Sequence, residues 1–177
     1  NNDISNLACM CSFCHLNFHI GRAGMMGEAA LIFCGELTQA EISHIARAVY
    51  VGINDGNVVA RGGYALMSMF SAQRHTEAKR LLGTGNPTVL GTALLKLSPE
   101  EDAIRIASLL PNIRLLPLGR KIVDGIDVFE AIVKYWRSDS GPFGRVKSRD
   151  WPKFAADAIG DGFRIPDGAP KSGEAGT

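Results

Sequence analysis

Three cysteines and two histidines fall within the stretch NLACMCSFCHLNFH, Asn6 to His19. Cys11 and Cys14 have the Cys-x-x-Cys spacing that lets two thiolates grip one zinc from a tight turn whose backbone N–H groups face the sulfurs. Structural zinc takes four ligands, so this pair is half a site. Cys9, His15, His19 and Cys34 are the other donors nearby. Cys9 points away from Cys11 if the backbone there is extended, and Cys34 lies beyond a glycine-rich loop. A second pair upstream of Asn1 is the simplest completion; two incidental core cysteines are the bland alternative. Cys11 to His15 also spells CxxCH, the c-type haem attachment signature. Haem attachment needs an exported apoprotein, and nothing in the residues indicates export.

The elements that must position these donors follow from patterning. Ala29 to Cys34 is a short apolar run between Gly27 and Gly35 and reads as a strand. Thr38 and Glu41 form a capping box. Ile42, Ile45, Ala46 and Val49 then recur at helical spacing, which predicts a helix over Thr38–Val51 with one apolar face. Asn54 to Asn57 reads as a turn. A second helix is expected over Tyr64–Leu82, stopping at Gly83. Asn86-Pro87 and Ser98-Pro99 are two further starts, opening helices over Pro87–Lys96 and Pro99–Leu110. Asn112 to Leu116, between two prolines, reads as an extended connector. A last helix over Ile126–Trp136 carries Phe129, Ile132, Val133 and Trp136 on one side. Gly21 to Gly27 (GRAGMMG) lacks the lysine and hydroxyl of a phosphate loop and reads as a flexible link. Beyond Ser138 glycine, proline and charge dominate, interrupted only by Trp151 to Ile159.

The 177 residues are 46% hydrophobic and 21% charged, enough for one core with or without an extension. Nineteen basic residues against eighteen acidic leave a formal net charge of +1. That balance gives no electrostatic case for a nucleic-acid binder. No uncharged run reaches the ~18 residues of a membrane span. The first residues show no basic segment followed by an apolar stretch, so no signal peptide is expected. The chain opens on Asn-Asn-Asp without a methionine and reads as a fragment. Cysteines packed together rather than spread out suit a metal site in a reducing compartment better than a disulfide framework.

The string Asn6-Leu7, Cys11-x-x-Cys14-His15, His19 resembles the second half of an HNH-type ββα-metal unit with a zinc knuckle. The resemblance implies that Asn6 fixes a loop while His15 and His19, one helical turn apart, hold a divalent cation against a scissile phosphate. The first histidine of such a motif would precede Asn1. The plain alternative is two surface histidines at a helix start.

A second resemblance covers Asn1 to about Trp136. Asn1-Asn2, Ser5-Asn6-Leu7, the Cys11/Cys14 knuckle, Glu36-Leu37-Thr38-Gln39-Ala40-Glu41 and Asn112-Ile113-Arg114-Leu115-Leu116-Pro117 come in the order and at intervals similar to those of the DotN/IcmJ family of type IVB secretion systems. The resemblance implies an α+β fold: a small HNH-like treble-clef zinc unit, its second half only present over 1–35, and a mainly α-helical region over 36–138 packed on it. Residues 139–177 fall outside it and are expected to form a flexible Gly/Pro-rich extension. It also implies structural Zn2+ with Cys11 and Cys14 as metal ligands and no catalytic residues. The implied location is cytoplasmic, at the inner-membrane secretion complex, without membrane insertion. The implied partners are the C-terminal region of a type IV coupling ATPase and other coupling-complex subunits, served by an adaptor that helps present substrates for export. His15 and His19 depart from that family pattern and keep open the alternative, a metal-dependent HNH endonuclease acting on DNA through Asn6, His15 and His19.

The remaining features read as structure. Arg74, His75, Lys79 and Arg80, with Glu77 among them, make a solvated helix face, and His44 is a boundary residue. Met67, Met69 and Phe70 are core, or line an apolar groove for a partner segment. Trp136 and Trp151 are the large anchors; Trp151 either inserts into a partner or clamps back onto the domain.

Overall fold

The structure, a computed structural model, describes residues 10–54, 58–96 and 110–144. The predicted strand is β1 (Ala29–Phe33), and its partner is the segment read as a connector, now β2 (Ile113–Pro117). They pair antiparallel with Leu31 opposite Leu115 and Ala30 opposite Leu116. A continuous apolar run is what a strand buried on both faces requires, and alternation sorts it onto two cores. Leu31 and Leu115 join one cluster with Phe13, Leu16, Ala46, Val133 and Trp136. Ile32 and Leu116 join the other with Ile42, Ile45, Met67 and Phe70. Both outer edges of this two-stranded sheet are sealed by side chains or loops. Gln39 Nε2 donates to Leu115 O at 2.8 Å while its Oε1 accepts from Leu115 N at 2.7 Å. On the β1 side Leu31 N donates to Gly85 O and Leu31 O meets His75 Nδ1 at 2.8 Å. His75 is therefore half-buried under the sheet rather than part of a solvated face.

The helices are α1 (Ser12–Leu16), α2 (Ile20–Met25), α3 (Gln39–Asn54), α4 (Val58–Met69), α5 (His75–Leu82), α6 (Pro87–Leu94) and α7 (Phe129–Arg137). The capping box forms: Thr38 N donates to Glu41 Oε2 at 2.7 Å and Glu41 N to Thr38 Oγ1 at 3.2 Å. Helix α3 then runs to Asn54, three residues past the expected end. The second expected helix starts earlier, at Val58, and is not one regular helix, because a π turn over Phe70–Arg74 joins α4 to α5. The reason is phase. At about 100° per residue, eight residues separating Phe70 from Ala78 would carry Ala78 about 80° round the axis. One extra residue in the π turn brings it back into line, and both are buried. Gly83, at φ 71°, ends α5 as expected. Asn86 caps α6 by accepting from Thr88 N at 2.9 Å, with Pro87 in its first turn.

Residues 21–25 of the expected flexible link fall in α2, which packs on α6. The glycines serve close approach there. A Cβ on Gly91 would stand 2.8 Å from the Gly21 backbone, and one on Gly24 2.3 Å from Thr88 N. The start of the last helix is also corrected: β3 (Ile122–Val123) and β4 (Ile126–Asp127) make a hairpin first, and the helix begins at Phe129. Its two-residue turn has Asp124 at φ 49° and Gly125 at φ 79°, the Asp-Gly pattern of a tight hairpin. Met67 and Phe70 are buried in the second cluster, so neither floors an open groove, and Met69 is half-buried. Phe143, past Ser138, is 1% exposed, and its N–H donates to Trp136 O. All of the predicted Pro99–Leu110 helix except Leu110, and Trp151, lie outside the described residues.

Candidate metal centre

Helix α1 carries the Cys-x-x-Cys turn, and Phe13 at its middle decides how it sits. The Phe13 ring is 5.5 Å from Phe129, stacked at 15°, and meets Trp136 and Tyr50 edge-on at 5.5 and 5.8 Å. With Phe13 and Leu16 facing inward, Cys11 and Cys14 are left half-exposed at the rim. Cys11 is the cap residue of α1, its sulfur accepting from Cys14 N at 3.4 Å, and Cys11 Sγ stands 3.2 Å from Cys14 Sγ. Both are free thiols. Two sulfurs bound at about 2.3 Å in a tetrahedral site stand about 3.8 Å apart. The pair fits half such a site after a small side-chain rotation. Burial, then the hydrogen bond and charge of Cys11, push the Cys14 thiol up to about 11. A divalent cation between the sulfurs reverses that balance by favouring the thiolates.

His15 and His19, both exposed, bring their Nε2 atoms to 3.2 Å, with ring centroids 4.6 Å apart. They are not on one unbroken helix: α1 ends at Leu16, and His19 is the residue just before α2, with no side-chain cap bond. Cys34 is buried in the second cluster, across the sheet from the cluster that Cys11 packs against. Burial raises its thiol above the usual range. It does not join the pair. Asn6 and Cys9 lie outside the described residues. Among the described residues no three His, Cys, Asp or Glu side chains converge as a metal site, so the cysteine pair and the histidine pair are separate two-donor sets.

No family profile matches the chain. A curated relative does, over 134 residues at 31% identity. The chain is similar to DotN. That relative is the Type 4 apparatus protein DotN of Legionella pneumophila, and the alignment covers 74% of this chain and 62% of DotN. The chain thus spans less than two thirds of DotN's length. Among the described residues no helix is long and apolar enough to cross a membrane.

Sequence reasoning missed Phe13, which seats the cysteine turn, and Glu28, which ties α2 and β1 to the β3–β4 hairpin. Phe13 is hidden because an aromatic between two cysteines has no periodicity of its own. Glu28 is fully buried, accepting from Ile122 N at 2.8 Å and paired with Lys121 Nζ at 3.2 Å. Only the charge at the edge of the AALIF run could have signalled it.

Proposed function

We propose that the chain belongs to the DotN/IcmJ family and acts as a zinc-stabilised adaptor in the coupling complex of a type IVB secretion system, or of a related conjugation system. It works in the cytoplasm at the inner-membrane complex, holding a segment from the C-terminal region of the coupling ATPase and helping present substrates for export. The observation that carries this reading is the 31% identity to DotN. The zinc part is supported by the convergence of Cys11 and Cys14 to 3.2 Å. In this reading they supply two of four ligands of an HNH-like unit, and the other two come from outside the described residues. Zinc supplies folding free energy to the N-terminal part when bound.

The partner segment needs a surface left open after folding. A cleft of about 390 Å³ lies between the end of α3 and the start of α7, walled by Tyr50, Ile53, Phe129 and Val133 with Asp127 and Glu130 among the lining. It suits a segment with an apolar anchor and a basic neighbour, and it replaces the groove expected at Met67, Met69 and Phe70. The test is co-purification of full-length protein with the ATPase's C-terminal region. Wild type retains it and Ile53→Asp loses it while staying folded; a folded wild type that retains nothing defeats the adaptor reading. Elemental analysis tests the metal separately, with about one zinc per chain expected and none in the Cys11→Ser, Cys14→Ser double variant.

The second reading, a DNA endonuclease using Asn6, His15 and His19, is favoured by the 3.2 Å approach of the two imidazoles. Cleavage of DNA with Mg²⁺ or Mn²⁺ that His15→Ala abolishes would promote it over the adaptor.

A further inference from the structure

Among the described residues three buried side-chain polar atoms lack a hydrogen-bond partner: Ser12 Oγ, Ser43 Oγ and Arg47 Nε. Their location is not scattered. Ser12 lies between Cys11 and Cys14, while Ser43 and Arg47 sit one turn apart on α3, the helix that α1 packs against. Ser43 has no exposed surface. A buried donor left unpaired is costly, the more so when it is charged. Three such donors gathered where α1 packs on α3 call for an acceptor there.

Sulfur is the acceptor at hand. A thiol accepts weakly, whereas a thiolate is the form a metal binds and accepts strongly from hydroxyl and guanidinium donors. Ser43 and Arg47 both lie beside Cys14, Ser43 through its hydroxyl and Arg47 through its charge, where α3 packs against α1. Arg47 is also held from its other side, its guanidinium carbon 5.3 Å from the centre of the Phe143 ring.

We infer that Ser43 and Arg47 are outer-sphere donors of the Cys11–Cys14 centre, positioned by α3 to hydrogen-bond and neutralise the metal-bound sulfur of Cys14. This rests on the zinc reading above. It gives α3 a role in metal affinity, and it makes Phe143, beyond the last helix, a support for Arg47.

The experiment compares full-length wild type with Ser43→Ala, Arg47→Met and Arg47→Lys. The readouts are zinc affinity by chelator competition, the sulfur-to-metal charge-transfer band of the Co²⁺-loaded protein, and the unfolding midpoint of the metal-free protein. Ser43→Ala and Arg47→Met are each expected to weaken zinc by roughly tenfold or more and to shift the charge-transfer band. Arg47→Lys, which keeps the charge, should recover most of the affinity. Metal-free Ser43→Ala should be at least as stable as wild type, since it removes an unpaired donor, which a purely packing role would not produce. Zinc affinity within twofold of wild type in both Ser43→Ala and Arg47→Met overturns the inference while leaving the zinc site standing. A wild type that takes up no zinc overturns both.

Discussion

Lys121 Nζ meets Glu28 Oε2 at 3.2 Å across 93 residues of sequence, at a carboxylate with no exposed surface. The other carboxylate oxygen accepts the Ile122 backbone N–H at 2.8 Å, and Arg22 approaches at 3.5 Å from α2. One buried side chain thus ties α2, the start of β1 and the β3–β4 hairpin together. Breaking a buried pair by removing one member leaves the other charge and its donors uncompensated. Glu28→Ala should lower unfolding free energy by about 3–5 kcal/mol. Arg22→Met should cost under ~1 kcal/mol, because Arg22 is the longer, more exposed contact. Urea unfolding of the two variants distinguishes them; equal costs would show that Glu28 is not the tie.

Phe13 plugs the aromatic cluster directly beneath the cysteine turn. Phe13→Ala removes its contacts with Tyr50, Phe129 and Trp136 and leaves a cavity, at an expected cost of about 3–5 kcal/mol. The same variant should lose zinc affinity without any ligand being changed, read by chelator competition. Unchanged affinity would mean that the turn holds its shape without the plug.

Two glycine substitutions should have opposite signs. Gly62 sits on an exposed stretch of α4 with nothing within 4 Å of an added Cβ. Gly62→Ala should stabilise by about 0.4–1 kcal/mol through the unfolded state. At Gly91 the Cβ would meet the Gly21 backbone at 2.8 Å, and backbone cannot step aside cheaply. Gly91→Ala should cost roughly 1–3 kcal/mol by forcing α2 and α6 apart. Thermal unfolding of the pair reads both signs.

Tyr50 donates to Pro117 O at 3.2 Å, and burial pushes its phenol up to about 12 from 10.0. A folded value above the unfolded one means stability is intact below pH 10 and is lost as pH rises from 10 towards 12. The loss attributable to Tyr50 should reach about 2–3 kcal/mol. Tyr50→Phe should remove that part of the alkaline slope while costing about 1 kcal/mol at neutral pH for the hydrogen bond. Parallel alkaline unfolding curves for wild type and variant would refute the assignment.

Local chemistry was readable in advance. The capping box at Thr38 and Glu41, the Asn86-Pro87 start, the stop at Gly83 and the strand at Ala29 each depend on neighbours within a few residues, so the sequence alone determined them. The Cys11/Cys14 turn was readable for the same reason. The hairpin at Asp124-Gly125 was equally local and went unread, because its strands are too short to show alternation. Other features were settled only in three dimensions. Residues 113–117 become a strand because β1 supplies a partner and Gln39 seals the far edge. Residues 21–25 of GRAGMMG turn helical because α6 offers Thr88 and Gly91 at a distance only glycines tolerate, an interaction that outweighs their poor propensity. Met67 and Phe70 enter the core because α4 and the π turn after it pack them against Ile32, Leu116 and Ile42 in the second cluster. Cys34 is separated from Cys11 because the β1–β2 sheet stands between their two clusters. Periodicity and capping are properties of a segment, whereas edges, close approaches and the facing of donors are properties of pairs far apart in the chain, and those the tertiary structure decided.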